Sequence, residues 1–303
     1  MDINFEYYKV FYYAARYRNL TRAAAALGSN QPNVTRIIKL LEAQLGCRLF
    51  VREPRGIGLT EEGEKLYSHV EAAYDHLIRA QEEIGGPSAQ EAGTVEIGAT
   101  ETALHLFLLE EMREFKGNHP KIRMKVHNHS TPEIIKLLIA GRLDFALVTT
   151  PVKAPRHFPC ETVWRFREIL VGGPQYRSLG TAKASLRELA GYPWVGLGRE
   201  TATYGMYRDF FLEHQAGIEP EMEVATSDLL LPLIQNNLGI GFVPEALAQP
   251  LLDRGLLVQI PLDCPPPSRS IQLISDKGRG RSMAADIFYK SLSWKQKAEE
   301  KAL

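Results

Sequence analysis

The chain has 303 residues, of which 45% are hydrophobic and 24% charged, with 36 Lys and Arg against 36 Asp and Glu. That length exceeds one ordinary domain, and the apolar share excludes a chain too polar to build a core, so two domains and a connector are expected. The neutral total hides an asymmetry. Residues 1–60 carry nine Lys and Arg and four acids, so the first fifth is +5 and the remainder −5, which points to a nucleic-acid-binding head on a body with another task. Three scattered cysteines, Cys47, Cys160 and Cys264, fit neither a disulfide framework nor a metal knuckle. Buried or incidental thiols are the first reading and a redox pair of Cys160 with Cys264 the second. The opening stretch MDINFEYYKVFYYAARYR lacks an uninterrupted apolar core with a cleavage site, and no later run is long enough to span a bilayer. A cytoplasmic protein without a membrane partner is therefore expected.

In chain order, residues 3–17 read as a helix whose Phe5, Tyr8, Val10, Phe11 and Tyr12 support whatever follows. Aromatics at this spacing are core residues far more often than base-stacking platforms. From Asn19 to Thr60 runs NLTRAAAALGSNQPNVTRIIKLLEAQLGCRLFVREPRGIGLT. Thr21 is a candidate N-cap for an Ala-rich helix ended by Gly28, and Ser29 or Asn30 caps a second helix with Pro32 in its first turn. That second helix reaches about Leu45 and stops at Gly46. Val34, Ile37, Ile38, Leu41 and Leu45 form its buried stripe, which leaves Gln31, Asn33, Thr35, Arg36 and Lys39 facing out. Such a face has amides to read base edges, a hydroxyl for phosphate, and two cations for backbone charge. Leu49-Phe50-Val51, the Arg52 to Gly58 turn and Leu59-Thr60 form a hairpin whose Arg52 and Arg55 reach sugar and phosphate.

This arrangement, followed by LTEEGEKLY, resembles the winged helix-turn-helix of LysR-type transcriptional regulators. The resemblance implies a DNA-binding domain over 1–60, a linker helix and hinge over 61–92, and an effector-binding domain over 93–303. It gives base and nearby backbone contacts to Gln31, Asn33, Thr35 and Arg36, with Pro32 among them, and phosphate contacts to Thr21, Lys39, Arg52 and Arg55. It also implies promoter DNA and a small effector as partners, a dimer through the linker helix, a tetramer, and RNA polymerase if the protein is an activator.

Thr60 caps the linker helix, which runs to about Ile84 with Glu61, Glu62 and Glu64 at its positive end. Its stripe of Leu66, Val70, Ala73, Tyr74, Leu77, Ile78 and Ile84 calls for the same helix of a second chain, or else for its own domain. Gly85-Gly86-Pro87-Ser88 reads as the hinge.

Beyond it, strands are expected at 94–99, 122–127, 143–148, 168–171, 193–197, 221–224, 239–243 and 270–275. Helices are expected at 104–115, 133–140, 204–214, 229–236 and 283–295. Such alternation predicts an α/β fold with a mostly parallel sheet covered on both faces. The resemblance divides it, as in periplasmic binding proteins, into two Rossmann-like subdomains, 93–161 plus 269–303 and 162–268. Ligands in such sheets lie at the carboxyl ends of strands. That rule selects Thr100, Glu101, Thr102, Ser130, Thr131, Thr149 and Thr150 in the first subdomain and Thr201, Thr203 and Ser227 in the second. Each hydroxyl taken singly reads as a helix cap, but five loops of them around one cleft suggest a small polar ligand. Glu101 counts against an anionic one, and the effector's identity stays open.

Other readings are weaker. Gly196-Leu-Gly198-Arg-Glu-Thr201 is a broken dinucleotide fingerprint. His127 and His129 share a strand face but lack a third ligand, so no metal or cofactor is expected. No nucleophile elbow appears, so no catalytic residues are assigned. A transport receptor is disfavoured by the basic head.

Overall fold

The computed structural model describes residues 3–53, 56–84, 93–217, 219–276, 278 and 280–292. Arg55, the hinge from Gly85 to Ser88 and the end of the terminal helix beyond residue 292 lie outside the described residues. The chain forms two units, Met1–Gly86 and Pro87–Leu303.

In the first unit, α1 (Phe5–Tyr17) is capped by the Asn4 side chain and ends at Arg18 in the left-handed region. Next come α2 (Leu20–Ala26) and α3 (Gln31–Leu45). The cap of α2 is Asn19, whose side chain accepts from the Thr21 and Arg22 amides, so Thr21 is the second helical residue and not the N-cap. Asn and Thr are comparable caps, and here the earlier residue has the extended backbone a cap needs. Asn30, not Ser29, caps α3, and Gly46 ends it at φ 72°. Strands β1 (Phe50–Glu53) and β2 (Gly56–Leu59) form the wing, paired antiparallel from Phe50–Leu59 to Glu53–Gly56. The strands thus run further into the expected turn than Val51 and Leu59. Two contacts hold the wing. Glu42 Oε1 accepts from the amides of Leu49 (2.8 Å) and Phe50. The Ile57 amide donates to Arg18 O.

Helix α4 (Glu61–Ile84) follows, its first turn capped by Thr60 Oγ1 accepting from the Gly63 amide. The first half of its apolar stripe packs within this unit. Val70, Leu66, Tyr67 and Tyr74 join Phe11, Tyr12, Leu41 and Leu49 in one cluster, with Tyr12 stacked on Tyr74 at 4.4 Å. The α1 aromatics are therefore core, Phe5 excepted, which is 57% exposed.

The second unit holds two lobes. β3 (Gly93–Ala99) runs into α5 (Glu101–Ala103), a π turn (Leu104–Leu108) and α6 (Leu109–Asn118). The helix expected from Leu104 thus begins at Glu101. β4 (Ile122–Asn128), α7 (Thr131–Ile139), β5 (Phe145–Thr149) and β6 (Cys160–Phe166) complete the first pass. The chain then crosses into β7 (Glu168–Gly172), α8 (Leu186–Leu189), β8 (Val195–Leu197), α9 (Ala202–Glu213) and β9 (Met222–Val224). After these come α10 (Leu230–Gln235), β10 (Ile240–Pro244), α11 (Glu245–Asp253) and β11 (Val258–Gln259). It returns through β12 (Arg269–Ile274) to α12 (Met283–Ser291).

The first lobe has a five-stranded sheet in the order β4-β3-β5-β12-β6, with β3, β4 and β5 parallel and β12 antiparallel to both its neighbours. Apolar clusters cover both faces, and β5 and β12 are buried along their whole length; β5 reads as an apolar run up to Thr149, whereas β12 also buries Arg269, Ser270 and Gln272. The second lobe has an antiparallel β10-β7-β11 sheet and a parallel β8-β9 pair, with its own two clusters. Because β6 pairs with β12 through Phe166, the first crossing falls at Arg167, not after Glu161; residues 162–166 belong to the first lobe. β6 and α11 were absent from the sequence expectations. The charges in CETVWRF blur its alternation, and Pro250 interrupts the α11 pattern.

Gly56 sits at φ 145°, and a Cβ there would lie 2.4 Å from Arg18 O. Gly117, inside α6, has nothing within 4 Å of its Cβ position. Gly56→Ala should lower the melting transition of the first unit by the equivalent of about 1–3 kcal/mol. Gly117→Ala should raise that of the second by about 0.5–1 kcal/mol. Scanning calorimetry of the two variants checks both signs.

Candidate functional site

The first candidate surface is the exposed side of α3. Gln31, Pro32, Arg36 and Lys39 are exposed and Asn33 and Thr35 half-buried. Two of these side chains, with Ser29, brace one another. Asn33 Nδ2 donates to Ser29 Oγ at 3.1 Å, and Arg36 Nη2 donates to Asn33 Oδ1 at 3.0 Å. The Thr35 hydroxyl donates back to Gln31 O at 2.9 Å, so in this conformation only its lone pairs are left for a partner. The Thr21 side chain is exposed on α2, and Arg52 projects from the wing strand β1.

The second is a cavity of about 90 Å3 between the lobes of the second unit, several times the roughly 10–15 Å3 that one water needs. It is lined from the first lobe by Thr100, Glu101, Thr102, His129, Ser130, Thr131 and Thr149, and from the second by Thr201, Thr203 and Ser227. Nine of the ten residues expected around an effector are therefore brought together; Thr150 is not on the lining, and its Oγ1 accepts from the Ser270 amide. Most of their polar atoms are already engaged. Ser130 Oγ donates to Glu133 at 2.8 Å in a capping box, and these contacts hold the Glu133 carboxyl below its usual range. Thr201 Oγ1 caps α9 by accepting from the Tyr204 amide and donates to Gly198 O. Glu101 meets His105 Nε2 at 2.8 Å. Thr102 and Ser227 share a hydrogen bond of 3.2 Å that spans the lobes. Thr149 and Thr203 both accept from Arg269 Nη2 at 2.9 Å.

Arg269 and Glu168 are the residues that sequence reasoning missed. Arg269 opens β12 and Glu168 opens β7, so they stand where the two crossing strands pass between lobes. They are 4% and 5% exposed and meet at 2.6 Å, Nη1 to Oε1. Nε donates to Thr150 O, and the guanidinium lies 5.5 Å from the Phe166 ring centre. One guanidinium thus joins β5, β7 and α9. Burial pushes the Glu168 carboxyl up against the downward pull of Arg269, and burial prevails. The sequence signal was a charged residue opening a strand, apolar beyond it in EILVG and mixed with Ser270 and Gln272 in RSIQLI. Trp194, Tyr207 and Phe242 add an aromatic wall, with Tyr207 stacked on Phe242 at 4.6 Å.

No group of three or more His, Cys, Asp or Glu is placed to hold a metal among the described residues, and His127 is bonded to Glu96 at 2.7 Å. Cys160 and Cys264 are free, and burial raises the pKa of both thiols, opposite to what a reactive thiol needs. No described helix is long and apolar enough to cross a membrane.

Comparison with known proteins agrees with this division. The bacterial regulatory helix-turn-helix protein family of the lysR type matches residues 5–64, and the LysR substrate binding domain family matches residues 88–294. The regulator BbuR of Bordetella bronchiseptica is 27% identical over 281 residues, covering 88% of this chain and 86% of that protein. Among solved structures, full-length CbnR complexed with its target DNA aligns with a TM-score of 0.71 at 17% identity, over 96% of this chain and 99% of that one. Full-length OxyR from Pseudomonas aeruginosa aligns at 0.68 and 17% identity, over 96% and 95%. The two matched families define a transcriptional regulator with a DNA-binding head and an effector-binding body, not an enzyme. The chain belongs to the LysR family.

Removing one partner of the buried pair strands the other. Arg269→Met should cost about 3–5 kcal/mol of stability, and adding Glu168→Leu should restore most of it. Urea denaturation followed through the transition of the second unit measures both steps.

Proposed function

We propose that this regulator reads promoter DNA with the exposed end of α3, holds its effector in the cavity between the lobes, and works as a dimer built on α4. The observation that carries the DNA reading is the braced Ser29-Asn33-Arg36 array beside an exposed Gln31. Side chains already held in one arrangement lose less freedom on docking. Gln31, Asn33 and Arg36 then meet base edges and the nearby backbone. Pro32 and the Thr35 lone pairs pack beside them. Thr21, Lys39, Arg52 and Arg55 engage phosphate and sugar.

The effector switch works by population shift. Thr102–Ser227 and Arg269–Thr203 bridge the lobes by single hydrogen bonds. A ligand that binds one arrangement of those bridges better than another moves the equilibrium between them and, through it, the spacing of the paired heads.

The dimer reading is supported by the far half of α4. Leu77 is 44% and Ile78 39% exposed. Phe5, Tyr8, Leu66, Val70, Ala73 and Tyr74 line an apolar groove of about 260 Å3 beside them. A tetramer, contact with RNA polymerase in an activating role, and a cytoplasmic location complete the reading. No cofactor beyond the effector enters it.

Mobility shifts of the protein on its own upstream intergenic DNA, against random duplex across a salt series, test the first part. A specific, salt-sensitive complex is expected. Arg52→Ala should weaken binding to all duplexes alike, whereas Gln31→Ala should lose more on the preferred site, by the equivalent of about 1–3 kcal/mol. Equal losses would overturn the division of roles. Leu77→Glu with Ile78→Glu should convert dimers to monomers in sedimentation velocity and weaken the specific complex; an unchanged dimer would remove α4 from the assembly.

A further inference from the structure

Three residues that line the cavity each bury a side-chain polar atom with no hydrogen-bond partner among the described residues: Thr100 Oγ1, Glu168 Oε2 and Tyr207 Oη. Elsewhere the only such atom in the described chain is Arg281 Nε. Buried polar groups are nearly always paired, so three vacancies around one cavity, Thr100 on the first lobe and Glu168 and Tyr207 on the second, describe what the occupant supplies.

Glu168 is the most restrictive of the three: burial pushes its carboxyl up, but in the ion pair with Arg269 the carboxylate only accepts. Its Oε1 is taken by Arg269, and its Oε2 awaits a donor. The charges point the same way. The lining holds two carboxylates, Glu101 and Glu168, and one guanidinium, Arg269. That guanidinium spends four N–H bonds on Thr150 O, Glu168, Thr149 and Thr203. It cannot offer the two-pronged fork with which arginine grips an anion. A carboxylate ligand would therefore meet Glu168 with the one lining guanidinium already committed to the protein, at a desolvation cost little repays. A cationic donor meets the vacant Oε2, and the faces of Trp194, Tyr207 and Phe242 attract it further.

Resting on the reading of this cavity as the effector site, we propose that the effector is a small organic ammonium compound. Its N–H groups bond Glu168 Oε2 with help from the Thr100 and Tyr207 hydroxyls, and its apolar body lies on the aromatic wall. Three acceptors satisfy the N–H groups of a primary ammonium, which accepts nothing itself, and the small cavity limits the rest to a few carbon atoms.

The probes are butylamine, butanol and butyrate, compared by calorimetric titration of the full-length dimer at neutral pH. Butylamine should bind roughly tenfold to a hundredfold tighter than either other compound, as expected of a charged hydrogen bond. Glu168→Gln should erase that preference. Tyr207→Phe keeps the ring and should weaken butylamine several-fold, and it decides the matter if Glu168→Gln does not fold. Butyrate or butanol binding as well as butylamine, no binding of butylamine, or a preference that survives the substitutions would each overturn the ammonium assignment. The cavity reading fails separately. Whichever probe binds, indifference to both Thr100→Val and Tyr207→Phe would place the ligand elsewhere, whereas sensitivity to them with butyrate favoured would keep the cavity and discard the ammonium.

Discussion

The second unit depends on one buried charge pair. Arg269 and Glu168 lie at the two points where the chain passes between lobes, and the guanidinium binds groups from β5, β7 and α9 at once. Each lobe has separate apolar clusters, so hydrophobic burial stabilises the lobes individually and says little about their mutual arrangement. That arrangement rests on the two crossings and a few polar bridges. A buried ion pair contributes little net stability compared with apolar residues of the same size, since desolvation offsets most of the attraction. What it imposes here is position: five donors in a rigid fork admit few geometries. Coupling two well-packed bodies through a small number of directional bonds is what a switch between nearly equal states requires.

The first unit solves the opposite problem, holding a small surface still. Its wing is tied to α1 by a single backbone bond at Arg18 that tolerates no Cβ at Gly56, and to α3 by Glu42. The tyrosines of α1 and α4 lock the start of the linker helix onto the head. Any rotation of the start of α4 therefore acts directly on α1 and, through Leu41, on α3.

How much of this was legible varies with the range of the signal. α3 could be bounded from sequence because Asn30, Pro32 and Gly46 are local devices acting within a turn of where they stand. The Thr21 cap was misplaced by two residues because Asn19 competes for the same amides. Positions at the carboxyl ends of strands identified the cavity wall, since topology dictates where those ends converge. The bonding state of Thr149 and Thr203 could not be read, because their partner lies 120 and 66 residues away. The same distance hid the Arg269–Glu168 pair. A charge opening an apolar strand looks like solvated punctuation unless its partner, 101 residues distant, is seen beside it.

That hidden pair also changes how the hydroxyl-rich cavity is understood. Counting hydroxyls suggests a site that grips a polar ligand at many points, yet Ser130, Thr149, Thr201 and Thr203 already hold the protein to itself. Recognition then falls to the few atoms left unpaired, and discrimination is sharpest where a buried group would otherwise go unmatched. Thr203 and Ser227 are engaged in bridges between lobes. An occupant that competes for Arg269 or Thr102 therefore loosens those bridges as it binds. In the proposed reading, an occupant reaches the lobe arrangement through Thr102 and Arg269, which line the same cavity as the unpaired atoms.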